Sequence, residues 1–535
     1  MASPEHPCVL RRSSGVLVPL FSMPSTSSWG IGEIGDLPHL AGWLRSAGQS
    51  FVQLLPVNEM APGQTSPYSA LSAMAIDPIY ISLGRVPDFQ AAGGEEALSP
   101  SIAATLGAAR HAARIDYSAV RRVKEPCFLA SFERFKDAEW VRDTPRAAAL
   151  RAFVESERWW LEDYALFRAI HAREGERPWT TWPAELKRRE PRALERAARE
   201  LEEQVLMHSY LQWLAHEAWQ DTRGAIRPLA LFGDLPFMVD LDSADVWANQ
   251  ALFDLDGSIG VPPDAFSATG QNWGMPAYRW EEMARADYAW LRQRARRSAD
   301  LYDGYRIDHL VGFYRTYVFP AGGSKAYFTP EGQDEQTALG ERLMKVFSEA
   351  GASVIAEDLG TVPDFVRASL GRLGIPGYKV LRWERHWKDV ENGQPFRDPL
   401  TWPPDSVATS GTHDTEPLAV WWNQAEQDER AGVLKIPFVA QRLGSDPTLV
   451  GRPFDPALRD VLLELLFASG SKFLILPIQD IFGWTDRVNV PARVDGDNWT
   501  YRLPWPVDRL AAQPEARERA ATLRRWARQY RRMGN

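Results

Sequence analysis

Short apolar runs that end in polar or glycine residues recur along the chain, and their length suits strands better than helices. Eight are read as strands, at residues 15–21, 50–57, 228–234, 302–309, 353–358, 378–383, 405–414 and 472–480. Stretches with apolar residues three and four apart follow most of them. GEIGDLPHLAGWLRSAG comes after the first run, PDFVRASLGRLG after the fifth and PLAVWWNQAEQDER after the seventh. Eight such alternations predict an α/β fold, a parallel (β/α)8 TIM barrel, with a doubly wound open sheet as the alternative.

The second and third runs are unusually far apart. Residues 59–225 are read as a mainly helical insertion, in which Leu194, Ala198, Leu201 and Val205 share one helix face amid Arg and Glu. His208, on the same predicted helix, is expected to be a buried or half-buried structural residue. The last segment, 509–535, is read as a C-terminal helix. Its stripe of Leu523, Trp526, Ala527 and Tyr530 between arginines suits a basic helix packed on the body. The expected organisation is one decorated barrel over residues 1–535, with a lid loop at 260–280.

Length permits this. A prior of about 150 residues per domain would split 535 residues into three, but a barrel with insertions exceeds about 400. A net charge of −9 disfavours nucleic acid or an anionic membrane as partner, because counterion release needs clustered Lys and Arg. No apolar stretch approaches the ~18 residues of a membrane span, and the start has no long apolar run, so neither export nor membrane insertion is expected. Cys8 and Cys127 are too few for a disulfide framework or a Cys-based metal site, which fits a reducing cytoplasm; one bridge between them stays open. The 22 tryptophans can bury area or stack on pyranose faces.

In barrel enzymes the chemistry sits where strands end. Here the strand ends are acidic: Asp234; Arg306, Asp308 and His309; Glu357 and Asp358; His413 and Asp414; Gln479 and Asp480. Carboxylates crowded on one rim have their pKa values driven apart, which gives one acid and one base at neutral pH. Acetal cleavage with retention needs that pair about 5–5.5 Å apart. Asp308 is assigned as nucleophile, with Arg306 two residues earlier on the same strand face; Glu357 is the proton donor and later the base, and Asp414 steadies the distorted sugar. A divalent metal held by His309, Asp308, Asp358, His413 and Asp414 is the competing chemistry, though no close His-x-His or HExxH pair appears.

At these strand ends the sequence resembles a known family. ALFGDLPFMV, YDGYRIDHLVGF, VIAEDLGTVP and TSGTHD are similar to the conserved regions of the 4-α-glucanotransferases, also called amylomaltases or disproportionating enzymes. SSWGIGEIGDL, SPYSALSAMAIDPIYISL and GVPPDAFSATGQNWGMPAYRW extend the resemblance from about Gly15 to beyond Trp499. The resemblance implies a (β/α)8 barrel with helical subdomains, no metal or organic cofactor, and the same roles for Asp308, Glu357 and Asp414. It implies sugar contacts from Tyr68, Asp234, Trp273, Arg306, His309, His413 and Asn489. Core packing for Tyr68 and Trp273, and a purely structural place for His309 and His413, are the plainer readings. The implied substrates are maltooligosaccharides or starch- and glycogen-like α-glucans; an amylase-type hydrolase and a non-catalytic glucan-binding protein are the rivals.

Transfer requires that water be kept from the glycosyl intermediate. The 260–280 loop, with Pro262, Pro263, Pro276, Phe266 and Trp273, has the stiffness and apolar surface of a lid. The chain departs from the family where Met275 and Thr415 replace the usual Asn, where KVLRWER stands for KVLQF, and after the eighth run. These changes surround the donor and acceptor sites and leave the three catalytic positions intact.

Overall fold

The computed structural model describes residues 11–533, apart from 264–269, 324, 445, 492 and 494–495. Each of the eight apolar runs supplies one strand: β1 (Ser13–Leu17), β2 (Phe51–Gln53), β3 (Ala230–Leu235), β4 (Gly304–Ile307), β5 (Ser353–Ala356), β6 (Gly377–Val380), β7 (Ser406–Thr409) and β8 (Phe473–Pro477). All pair in parallel, each beside its neighbours in sequence, and β1 also pairs with β8 to close a barrel. The open-sheet alternative is thereby excluded. The strands are buried on both faces, which is why they read as near-continuous apolar runs rather than alternating ones. They are also shorter than those runs, because the last residues of each leave the ladder and become the rim.

The barrel interior is filled, not hollow. Phe51, Phe232 and Phe473 form one layer, with Phe51 and Phe232 ring centroids 4.7 Å apart. Glycines make room for them: a Cβ on Gly15 would fall 2.4 Å from the Phe51 ring, and one on Gly304 2.5 Å from the Phe232 ring.

Helix α1 (Leu37–Ser46) follows β1 and buries Leu37, Leu40, Ala41 and Leu44 at helical spacing. Between β2 and β3 the chain first runs through a long loop and helices at Pro87–Ala91 and Pro100–His111, then through α2 (Tyr117–Phe135), α3 (Pro145–Arg173), α4 (Pro191–Glu200) and α5 (Glu202–Ile226). The single helix expected through Leu194 and Val205 is two, meeting at Leu201, which takes a non-helical φ of −115° and ψ of 23°. Ala193, Ala197 and Leu201 are buried there, whereas Ala198 faces solvent. The end of α5 belongs to the barrel wall, since the Trp219 indole donates to Leu301 O at 2.8 Å and Arg45 to Ile226 O at 3.1 Å. His208, on α5, is half-buried and neutral, its pKa lowered by burial to about 3.

After β3 come α6 (Ala244–Ala248) and α7 (Ala289–Leu301), after β4 α8 (Gln333–Ser348) and after β5 α9 (Asp364–Leu373). No α-helix separates β6 from β7 among the described residues; only a 3-10 turn at Pro399–Thr401 does. Helices α10 (Leu418–Gln424) and α11 (Pro456–Ala468) precede β8, and α12 (Pro514–Gln529) ends the fold. Leu523, Trp526 and Ala527 of α12 are buried, with the Trp43 indole of α1 donating to Ala516 O at 2.9 Å. The loops after β3 and β4 pair as a four-stranded antiparallel sheet of Ser258–Val261, Gln271–Asn272, Thr316–Phe319 and Tyr327–Thr329. No helix among the described residues is long and apolar enough to cross a membrane. Cys127 is a buried free thiol, and Cys8 lies outside the described residues.

Candidate active site

The register of β3, β4 and β5 builds the centre of the site. Asp234 of β3 pairs with Arg306 of β4, and Arg306 with Ile355 of β5. The ladder runs one residue further on each strand, with Asp308 N–H donating to Leu235 O and Glu357 N–H to Ile307 O, both at 3.0 Å. Asp308 and Glu357 therefore leave neighbouring strands at the same height.

One guanidinium organises three carboxylates. Arg306 is 5% exposed; its Nη1 donates to Asp234 Oδ1 and Oδ2 at 2.8 and 2.7 Å, and its Nη2 lies 2.8 Å from Asp308 Oδ1 and 3.9 Å from Glu357 Oε2. Because Asp308 and Glu357 share one nitrogen, their nearer oxygens cannot be farther apart than 2.8 Å and 3.9 Å laid end to end. That span includes the ~5–5.5 Å of retaining glycosidases and reaches only the lower edge of the ~6.5–9.5 Å of inverting ones.

Glu357 also accepts N–H bonds from His309 at 2.8 Å and Leu359 at 3.1 Å. The first depends on His309 holding a left-handed φ of 43° at the strand end, an uncommon conformation of the kind that gathers at functional sites. Burial raises the Glu357 pKa to about 7 against the pull of Arg306, with the Asp308 charge adding to the rise. Asp234, wholly buried, is likewise lifted by burial to about 6. Asp414 goes the other way. Burial opposes its charge, but His413 at 3.2 Å and the Asn489 amide, which donates to Oδ1 at 2.6 Å, bring its pKa down to about 2. The rim thus carries one carboxyl poised near neutrality and one fixed as an anion.

The remaining expected residues join the same rim. Tyr68, on the loop after β2, donates its hydroxyl to Asp234 Oδ2 at 2.9 Å and lies 3.2 Å from His413 Nε2, its ring stacked on that imidazole at 5.5 Å and 20°. Trp273 meets the His309 ring edge-to-face at 4.8 Å. His309 is kept neutral by burial, its pKa down at about 4. Phe266 of the same loop lies outside the described residues.

Two strand-end acids are not part of the cluster. Asp358 turns back to accept the Tyr378 N–H at 2.7 Å and faces Arg367 at 3.6 Å. Asp480 is buried where it accepts from Ser410 Oγ at 2.5 Å and from Leu418 N–H, the first residue of α10, at 2.6 Å. Strand alternation explains the first, since neighbours Glu357 and Asp358 point to opposite faces. Among the described residues no group of three or more His, Cys, Asp or Glu side chains is placed to hold a metal ion.

Several rim residues escaped the sequence reading. Trp499, itself at a φ of 65°, packs 5.6 Å from Tyr68 and 5.7 Å from His413. Arg487 donates to Asp414 O at 2.7 Å, and Phe237 backs His309 at 5.6 Å. The signal for Arg487 was its place two residues before Asn489; Trp499 and Phe237 offered only their aromatic character.

Comparison with known proteins finds relatives along nearly the whole chain. A family model described as 4-alpha-glucanotransferase matches residues 18–508. The 4-alpha-glucanotransferase of Thermus thermophilus is 33% identical over 529 residues, covering 95% of this chain and 99% of that protein. That of Chlamydia pneumoniae is 30% identical over 525 residues, covering 95% and 93%. Among solved structures, amylomaltase from Streptococcus agalactiae in complex with acarbose superposes with a TM-score of 0.79 at 25% identity, over 98% of this chain and 100% of that one. The chain belongs to the 4-α-glucanotransferase family.

Proposed function

We propose that this chain moves α-1,4-glucan segments by double displacement, with Asp308 as nucleophile, Glu357 as acid and then base, and Asp414 as stabiliser of the sugar cation. The observation that carries the reading is Arg306, whose one Nη2 faces both Asp308 and Glu357 while Glu357 keeps a proton near pH 7.

In the first half-reaction the Asp308 carboxylate attacks the anomeric carbon as the glycosidic C–O bond breaks. Glu357 passes its proton to the departing 4-oxygen, leaving a β-linked glycosyl ester on Asp308. Positive charge that builds on the ring between these events is met by Asp414, held ionised by His413 and Asn489. In the second half-reaction Glu357, now a carboxylate, takes the proton of an acceptor 4-hydroxyl. That oxygen attacks the anomeric carbon and Asp308 is released, with the original configuration restored. Arg306, Asp234, Tyr68, His309 and Trp273 are assigned to holding the sugar and the reacting carboxylates in place.

Chain 1–535 is read as one catalytic unit. Segment 59–225 brings Tyr68 to the rim, and Trp273 brings the 260–280 loop against His309, so that loop is assigned the part of an acceptor-side lid that keeps water from the ester. The segment 509–535 braces the barrel wall. The substrates fitting this rim are maltooligosaccharides and larger α-glucans, and the cytoplasm is the compartment that suits the two-cysteine composition.

Incubation with maltotriose and no added metal, with products separated and reducing ends counted, tests the reading. A ladder of longer and shorter oligosaccharides plus glucose at nearly constant reducing ends is expected. Rising reducing ends with only shorter products would mean hydrolysis, and no change would leave a glucan-binding protein.

A further inference from the structure

Away from the rim, three helices meet around a second cleft. Trp159 and Asp163 of α3, Asn249 at the end of α6, and Trp290 and Gln293 of α7 line it, and Ser72, on the loop that carries Tyr68, closes one side. None of these is a rim residue. About 130 Å³ is free, room for about four waters at ~30 Å³ each or for one pyranose ring.

The walls are flat and aromatic but studded with polar groups. The Trp290 indole is fixed by donating to Asp245 Oδ1 at 3.1 Å, and Asp245 Oδ2 in turn accepts the Ala73 N–H at 2.7 Å. Trp159 is half-buried, and its Nε1–H has no hydrogen-bond partner among the described residues although solvent does not reach it. That donor lies behind the wall, so Trp159 offers the cleft its ring and not its N–H. Asn249 donates Nδ2–H to Asp245 O at 2.9 Å, which leaves its Oδ1 to accept, and Asp163 carries a carboxylate paired with Arg189 at 2.5 Å. The Gln293 amide, which can donate and accept, and the acceptor oxygens of Asn249 and Asp163 beside indole rings match a hexose, each of whose hydroxyls does both while its C–H face stacks.

We propose that this cleft is a second glucan site, which holds one glucosyl residue of an α-glucan at the seam between the helical insertion and the barrel. The inference rests on the α-glucan reading of the active site. An occupant here would touch Ser72 and so steady the loop that positions Tyr68.

Crystals of the Glu357→Gln variant soaked with maltotriose provide the test, paired with solution titration of maltotriose followed by 5-fluorotryptophan NMR. The Trp159 resonance is identified by its loss in Trp159→Phe. Expected are sugar density in the cleft and a saturable shift of the Trp159 signal. Gln293→Ala is expected to weaken the binding that gives this shift about fivefold, the equivalent of one hydrogen bond of ~1 kcal/mol. Sugar over Asp308 with only ordered water beside Trp159 and no shift would overturn the inference and leave the active-site reading standing. No sugar in either place would sink both.

Discussion

Arg306 lies 2.8 Å from Asp308, two residues along the same strand, and does so with the nitrogen that Asp234 leaves free. The side chain works as a fork whose prongs hold different acids. Lysine offers one compact charge and cannot reproduce this. Arg306→Lys is therefore expected to lower kcat/KM for maltotriose by about 10²–10³, in line with losing a preorganised donor near developing charge, with a much smaller change in fold. Arg306→Ala is expected to destabilise the protein by about 3–5 kcal/mol as well, because Asp234 is left buried and unpaired. Circular dichroism melts beside steady-state kinetics separate the two effects. Activity of the lysine variant within a few-fold of wild type would refute the fork.

The proton on Glu357 sets a pH limit. Its pKa stands at about 7, and the first half-reaction needs the protonated form. kcat/KM should hold below that pH and fall tenfold per unit well above it, since the free enzyme then lacks its donor. Glu357→Gln keeps the shape and loses the proton, so transfer from maltotriose is expected to drop by at least about 10²–10⁴ while maltotriose still binds. A profile flat to pH 9 in the wild type would show that another group donates.

Asp308→Asn separates the nucleophile from the stabiliser. With an amide at 308 no glycosyl ester can form, so mass spectrometry of the protein quenched during turnover of an activated glucosyl donor should show no added hexose. Asp414→Asn should slow both half-reactions yet still allow the adduct to be trapped. An adduct on the Asp308→Asn protein would move the nucleophile elsewhere.

How far these residues were legible follows from what sequence encodes. Apolar runs that stop at a carboxylate mark strand ends, so Asp234, Asp308, Glu357 and Asp414 could be named, and eight runs in a row implied the barrel. Pairing across strands is tertiary. That Asp234 stands opposite Arg306 comes from the β3–β4 register, which no local pattern states. Asp480 illustrates the cost: it ends a run like the others but serves as a helix cap for Leu418, a use decided by where α10 starts. Leu201 shows the same limit within a helical segment, where the three- and four-residue spacing continues through a turn that ends α4 and begins α5. Trp499 and Arg487 come from a loop with no periodicity to betray which way it faces.

His171 ties the insertion to the barrel through charge. Its side chain is 0% exposed, with Nδ1 2.7 Å from Glu176 and Nε2 3.0 Å from Asp242 of the loop after β3. Burial works against its charge, yet Asp242 and Glu176 prevail and lift its pKa to about 9. A pKa raised from the ordinary 6.5 to about 9 contributes stability that is complete below pH 6.5 and lost as pH rises through 9. The loss is on the order of 3 kcal/mol. The thermal midpoint should therefore fall between pH 6 and 9.5, and the fall should be smaller in His171→Gln, which starts lower. Parallel curves for the two proteins would remove His171 from the account.

Arg532 closes the opposite end of the barrel. The side chain is wholly buried and has no carboxylate partner among the described residues; it donates to Phe467 O at 2.7 Å, Ser471 O at 2.8 Å, Ser469 O at 3.1 Å, Lys472 O at 3.2 Å and Ser13 O at 3.3 Å. Those carbonyls lie around the starts of β1 and β8, where a barrel's first strand must meet its last. Arg12 also donates to Phe467 O, Ser469 O and Ser471 O, and the Ser13 N–H to Lys472 O, so alanine at 532 would leave these carbonyls one donor each and cost the guanidinium's own bonds, at about 0.5–1.5 kcal/mol each. Arg532→Ala should lose about 3 kcal/mol or more of stability while kcat at low temperature stays near wild type, because the rim is at the other end of the strands. Arg532→Lys, with three donors for five, should fall between the two. If the alanine variant melts with wild type, the closure of β1 on β8 is secured by strand pairing alone and the buried guanidinium is dispensable.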